Sequence, residues 1–143
     1  MTGAAGRRYR TRVSAGQHPV ELIMARGFVS NLSTPAFLVD RQGVLVFYNE
    51  AAEEILGLTF AEVGPMAAEE WSARFEPTGP DGRPVRVDEL PLGIALLQGR
   101  PAHAPLRITS GAGRTEEIEA TAFPVIGRGG QSGALAIFWR TSR

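Results

Sequence analysis

The residues able to carry chemistry are few and scattered. Two histidines, His18 and His103, stand far apart with no cluster of ligand-spaced neighbours, so no metal centre is expected. Glu53 with Glu54, and Glu69 with Glu70, place carboxylates side by side, as general acid–base work would need. Adjacent helical positions diverge by about 100°, however, so neither pair converges on one substrate and both read as solvated helix faces. No nucleophile elbow, phosphate loop or dinucleotide fingerprint occurs; Gly127-Arg128-Gly129-Gly130 leads into a strand-like run rather than a helix. The absence of cysteine removes disulfides, zinc thiolates and thiol nucleophiles. Tyr48 alone is left as a general acid or base under a curved sheet. A small isomerase or lyase is therefore the weakest of the readings, and no enzyme is expected.

With 143 residues the chain is one domain, large enough to bury its own core. An apolar content of 43% and a charged content of 21% are ordinary for a globular protein. All 15 basic residues are arginine, which reads as genome composition rather than function. Charge is uneven. Residues 1–17 hold Arg7, Arg8, Arg10 and Arg12 and no acid, leaving eleven arginines against fifteen acids elsewhere. This stretch reads as a solvated, flexible tail; four charges without a binding fold do not make a nucleic-acid site. Arg7-Arg8 opens like a twin-arginine export signal, but no uninterrupted apolar core or cleavage site follows. No run approaches the roughly 18 apolar residues of a membrane span, so a cytoplasmic location is expected and no membrane contact.

The elements that position these groups follow from periodicity. A helix is predicted over 18–32, with Pro19 at its start and Val20, Ile23, Met24, Phe28 and Leu32 recurring at helical steps. Gly27 weakens it by about 1 kcal/mol relative to Ala. Ala36–Val39 and Val44–Tyr48 flank the turn Asp40-Arg41-Gln42-Gly43 as a β-hairpin. Strict alternation puts Phe37 and Val39 opposite in facing to Ala36 and Leu38, and Val44, Val46 and Tyr48 opposite to Leu45 and Phe47. Both faces are apolar, so both must be covered, one by the helices that follow and the other by the helix over 18–32 or a second subunit. Asn49 caps a helix that Gly57 ends. One or two helical turns over 59–76 bring Phe60, Val63, Met66, Trp71 and Phe75. Asp88 caps a buried helix with Pro91 in its first turn, stopped by Gly99 and Pro101. Three strands finish the chain, from 106, 115 and 134 onward, with Arg107 expected opposite Glu117 and a flexible loop over 127–133.

Taken in order, Thr34-Pro35-Ala36, the Asp40–Gly43 turn, and Tyr48-Asn49 with Ala51, Ala52 and Leu56-Gly57 resemble a PAS domain. Asp81-Gly82-Arg83-Pro84, Glu89-Leu90-Pro91, Gly99-Arg100-Pro101, Ala122-Phe123-Pro124-Val125 and the run from Gly133 to Trp139 extend the likeness over about residues 33–140. It is similar to the bacterial sensor modules found in histidine kinases. The resemblance implies an α+β fold: a five-stranded antiparallel sheet in the order 2-1-5-4-3, with helices over one face and the N-terminal helix on or near the other. The division is then a tail over 1–17, a helix over 18–32 and the PAS domain over 33–143.

The resemblance also frames the question of a ligand. Flavin photosensors of the family use a cysteine for their covalent adduct, and coumaric-acid photoreceptors attach their chromophore through one. This chain has neither option. Haem-binding relatives carry an axial histidine on the helix before the third strand. Asp88–Gln98 holds none, His103 lies just beyond it, and Met24 or Met66 would be unusual ligands, so haem is not favoured and neither is non-covalent flavin. Small inner-strand residues, Ala120 and Ala122 or Ala134 and Ala136, leave space under the helices. Either Trp71, Phe75 and the apolar residues Leu90, Ile94 and Leu97 fill that space, or a small organic molecule does, with Tyr48, Arg74 and Trp71 supplying contacts.

The resemblance implies a sensory or interaction module rather than a catalyst. The sequence runs out directly after its last strand, so output is expected to pass to a signalling partner in trans or through self-association. Val20, Ile23, Met24, Phe28 and Leu32 are the expected homodimer contact, since relatives often use an N-terminal helix that way.

Overall fold

The computed structural model describes residues 18–141. The arginine-rich stretch 1–17 lies outside the described residues. Helix α1 (Val20–Ser30) precedes the strands β1 (Ala36–Asp40) and β2 (Leu45–Tyr48). Helices α2 (Glu50–Leu56), α3 (Phe60–Val63) and α4 (Ala68–Phe75) follow, then a 3-10 turn at Val87–Glu89 and helix α5 (Pro91–Gln98). Strands β3 (Ala102–Thr109), β4 (Thr115–Gly127) and β5 (Gly130–Arg140) close the chain. All strand pairs are antiparallel and the sheet order is β2-β1-β5-β4-β3, the order the resemblance implies.

The hairpin is closed by Asp40, whose Oδ1 accepts from the backbone N–H of Gln42 at 2.9 Å and of Val44 at 3.0 Å. Gly43 supplies the left-handed residue of that turn at φ +83°. Every residue of β1 is buried, as two dry faces require. Strict alternation fails in β2. Leu38 pairs with Phe47 but Val39 pairs with Leu45, so Val46 is the extra residue of a β-bulge. Leu45 and Tyr48 therefore face the helices, while Val46 and Phe47 both turn to the other side.

That other side is covered by α1. Leu22 and Val29 are buried there, and with Ala25 and Leu32 they pack over Ala36, Leu38, Val46 and Leu135. The helix lies on the sheet by a different stripe from the one its periodicity singles out. Val20, Ile23, Met24 and Phe28 point away, each more than half exposed. A helix with apolar residues on more than one side offers two stripes, and period alone does not choose between them.

Asn49 joins the layers. Its Oδ1 accepts from the N–H groups of Ala36 and Ala52 at 3.0 Å, and its Nδ2 donates to the carbonyls of Val29 and Thr34 at 2.9 Å. One buried amide thus caps α2, fixes the start of β1 and holds the end of α1. On the helical side, α4 buries Trp71 and Phe75. Asp88 is not the cap of α5: it sits in the 3-10 turn, Leu90 occupies the cap position, and Pro91 opens the helix where no N–H is needed. Strand β3 starts at Ala102 rather than Leu106, and β4 and β5 meet in a tight hairpin at Arg128-Gly129 instead of a long loop. Arg107 does face Glu117 across β3 and β4, at 3.5 Å.

Candidate interaction surface and apolar cavity

Two features stand out from this scaffold: the outward stripe of α1 and a cavity on the opposite side of the sheet. Val20, Ile23, Met24 and Phe28 are 63, 56, 68 and 64% exposed. Gly27 lies among them, and a Cβ there would meet nothing within 4 Å. The charged side chains of α1 are directed away from this stripe. The Arg26 guanidinium lies 4.5 Å above the Phe47 ring, and the Glu21 carboxylate lies against Gly127. The result is a helix face without a charge. Beyond α1 the sheet is open over β4 and β5, where Phe123, Ile126 and Trp139 are partly exposed. His103 belongs to this open half: its Nε2 meets Glu119 Oε1 and its Nδ1 meets Thr121 Oγ1, both at 2.6 Å, with the Trp139 ring 6.1 Å away.

The cavity, of about 80 Å³, lies between the inner sheet face and the helices. Ile118 and Ala120 of β4, Ala136 and Phe138 of β5, Leu106 and Ile108 of β3 and Phe37 of β1 form its sheet side. Trp71 and Phe75 of α4, with Leu56, Pro77 and Leu90–Leu92, form the other. The aromatic groups pack edge-on, Phe37 to Trp71 at 5.4 Å and Phe37 to Phe75 at 6.4 Å. The Trp71 indole N–H is already bonded to the Gly43 carbonyl at 3.0 Å. The lining therefore offers a guest no hydrogen-bond partner. The space is partly open to the surface rather than sealed. It is also far below the roughly 300–1,000 Å³ that enclose drug-sized molecules, so a flavin or tetrapyrrole would have to displace the aromatic cluster.

Of the residues expected at a pocket, Trp71, Phe75, Leu90 and Ala120 line this cavity. Tyr48 does not: it stacks on Phe37 and donates its hydroxyl to the Leu58 carbonyl at 2.9 Å. Burial, with Glu53 adding to it, pushes its phenol up to about 12. Arg74 is exposed on α4, Leu97 is 67% exposed at the end of α5, Ile94 is half-buried outside the wall, and Ala122 is buried without touching it. Sequence reasoning missed Phe37, Phe138, Leu106, Ile108, Ile118 and Pro77. Their inward parity along the strands was the available signal for most of them. Among the described residues no group of three or more His, Cys, Asp or Glu could hold a metal, and no helix is long and apolar enough to cross a membrane.

A family model described as the PAS fold matches residues 24–73. No curated protein matches the sequence. Among solved structures, the chain is similar to the LOV protein of Rhodobacter sphaeroides at 20% identity and a TM-score of 0.66, covering 87% of this chain and 69% of that one. It is similar to the PAS domain of nitrogen regulation protein NR(II) from Vibrio parahaemolyticus at 14% identity and a TM-score of 0.59, covering 82% of this chain and 98% of that one. The PAS domain of BvgS from Bordetella pertussis matches at 17% identity and a TM-score of 0.57, with 86% and 87% covered. Sheet order, the helices packed on the inner face and these matches together show that the chain has the PAS fold.

Proposed function

We propose that the protein is a non-catalytic sensory and interaction module of the cytoplasm, which forms a homodimer through α1 and the adjoining outer sheet face and passes its signal to a separate protein. The observation that carries this reading is the uncharged, outward stripe of Val20, Ile23, Met24 and Phe28. Full burial of each such side chain is worth roughly 1.5–3 kcal/mol. Each is already about a third or more covered, so four from each subunit give a gross gain comparable to the roughly 4–15 kcal/mol that association costs. The similarity to PAS domains of a two-component sensor histidine kinase and of a nitrogen regulation protein supports a place in signalling. Light scattering on the chain at high micromolar concentration tests the reading. A dimer that Ile23→Asp with Phe28→Asp converts to a folded monomer is the expected result; a monomeric parent chain overturns it.

A further inference from the structure

We propose that Thr121 is an acyl-acceptor site, its hydroxyl activated by His103 and Glu119 on the open half of the outer sheet face to take the acyl group of a small, uncharged, activated ester. The three side chains are brought together by the sheet itself. His103 of β3 is the register partner of Thr121 of β4, and Glu119 lies two residues before Thr121, on the same face of its strand. The imidazole therefore spans both, with Nε2 at Glu119 Oε1 and Nδ1 at Thr121 Oγ1, each at 2.6 Å. Which nitrogen carries the proton follows from the partners. An ionised carboxylate only accepts, so Nε2 donates to Glu119. In the neutral ring Nδ1 is then the acceptor, and the Thr121 hydroxyl donates to it. A carboxylate orients an imidazole, and the imidazole holds a hydroxyl by its proton, which is the arrangement of an activated nucleophile.

The step balances within these groups. Thr121 Oγ bonds to the acyl carbon while its proton passes to His103 Nδ1. The bond from that carbon to the leaving oxygen breaks, and the leaving oxygen takes the proton back. In between, the imidazolium lies against the Glu119 carboxylate. Access is open: the side chains of His103 and Glu119 are 47 and 35% exposed, and Thr121 is half-buried. The surroundings select the donor. Phe123 follows Thr121 on the same face, Ile137 lies opposite it on β5 and Trp139 lies opposite Glu119, so apolar side chains flank the hydroxyl. Arg107 is already paired with Glu117 at 3.5 Å, so an anionic donor gains no cation from it. Strand β4 is bonded to a strand on each side, which commits its N–H groups to the ladder and leaves no oxyanion pocket. The gain is therefore that of a positioned base, roughly 10²–10⁴-fold. One acyl group per chain marks the protein without turnover, and it depends on neither the dimer nor a signalling partner.

The test uses the full chain with p-nitrophenyl acetate, read by peptide mass mapping. The sequence has neither lysine nor cysteine, so the competing strong nucleophile is the terminal amine, whose amide survives hydroxylamine while a threonine ester does not. A hydroxylamine-labile acetyl group on Thr121 is expected, formed on the order of 10²–10⁴-fold faster than on other hydroxyls. Thr121→Ser should keep it, Thr121→Val should lose it, and His103→Gln should slow it by that same factor. Glu119 is a positioning residue: Glu119→Gln should slow labelling and, in nitrogen NMR of the His103 ring, remove the preference for the Nε2-protonated form. Relative to the terminal amine, the anionic donor acetyl phosphate should label Thr121 less than the ester does. Acetyl groups spread evenly over the hydroxyls overturn the proposal, as does a His103→Gln chain labelled as fast as its parent. A higher relative yield from acetyl phosphate overturns the uncharged donor. The monomerising pair Ile23→Asp with Phe28→Asp should leave labelling unchanged, so this site and the dimer can each fail alone.

Discussion

The two halves of the sheet are built to different rules. At the β2-β1 end every residue of β1 is buried, because helices lie on both sides. At the β4-β3 end the strands alternate: Ile118, Ala120 and Ala122 are buried, while Glu117, Glu119, Thr121 and Phe123 meet solvent at least in part. The covered half has the layering of a domain interior, and its sequence is a run of apolar residues. The open half has one wet face, and its sequence shows period two. The difference teaches where α1 must stop. It covers β1, β2, the adjoining part of β5 and the end of β4 around Val125, and leaves the rest of β4 and β3 uncovered.

The largest test of this contrast is Asn49→Ala. Losing the α2 cap costs roughly 0.5–2 kcal/mol, and the stranded Ala36 N–H and Thr34 carbonyl cost roughly 1–3 kcal/mol each where water does not reach them, while the Val29 carbonyl keeps the Leu32 N–H. We expect roughly 4 kcal/mol or more in urea unfolding, with faster amide exchange in β1 than in β4. Leu38→Ala, under α1, should cost about 2–5 kcal/mol. Its counterpart on the open half, Trp139→Ala, should cost under about 1 kcal/mol. If the two costs are equal, the covered half is not sandwiched in solution.

A pH scan sharpens the same contrast on the helical side. Burial raises Tyr48 from its ordinary value near 10 to about 12, so the unfolded chain loses this proton first. Its contribution to stability is complete below about pH 10 and is lost as pH rises to about 12. Chemical denaturation should show that decline in the parent chain, and Tyr48→Phe should lack it. The smallest effect is Arg107→Ala on the wet face. A cross-strand pair such as Arg107 with Glu117 is worth roughly 0.2–1 kcal/mol, and added salt should shrink even that.

Much of this was legible beforehand for a physical reason. The apolar run at Ala36–Val39 has no polar residue to spare for water, so two covering layers follow without any structure. The bulge at Val46 was not legible, because alternation assumes one register along the strand. The stripe by which α1 docks was ambiguous for a related reason: Leu22 and Val29 are as apolar as Ile23 and Phe28, and only the shape of the sheet decides. At the cavity, Ala120 could be found from strand parity. The polar contacts expected of Tyr48 and Arg74 could not be judged, since a Tyr hydroxyl satisfied by the Leu58 carbonyl looks the same in sequence as a free one.

The bond from the Trp71 indole to the Gly43 carbonyl has a mechanical consequence. One end of it belongs to a wall of the chamber. The other is the tip of the hairpin, whose next residue, Val44, packs in the layer beneath α1. Trp71→Phe would therefore remove a tie that runs from the helical layer to the strand turn on which the outer helix rests.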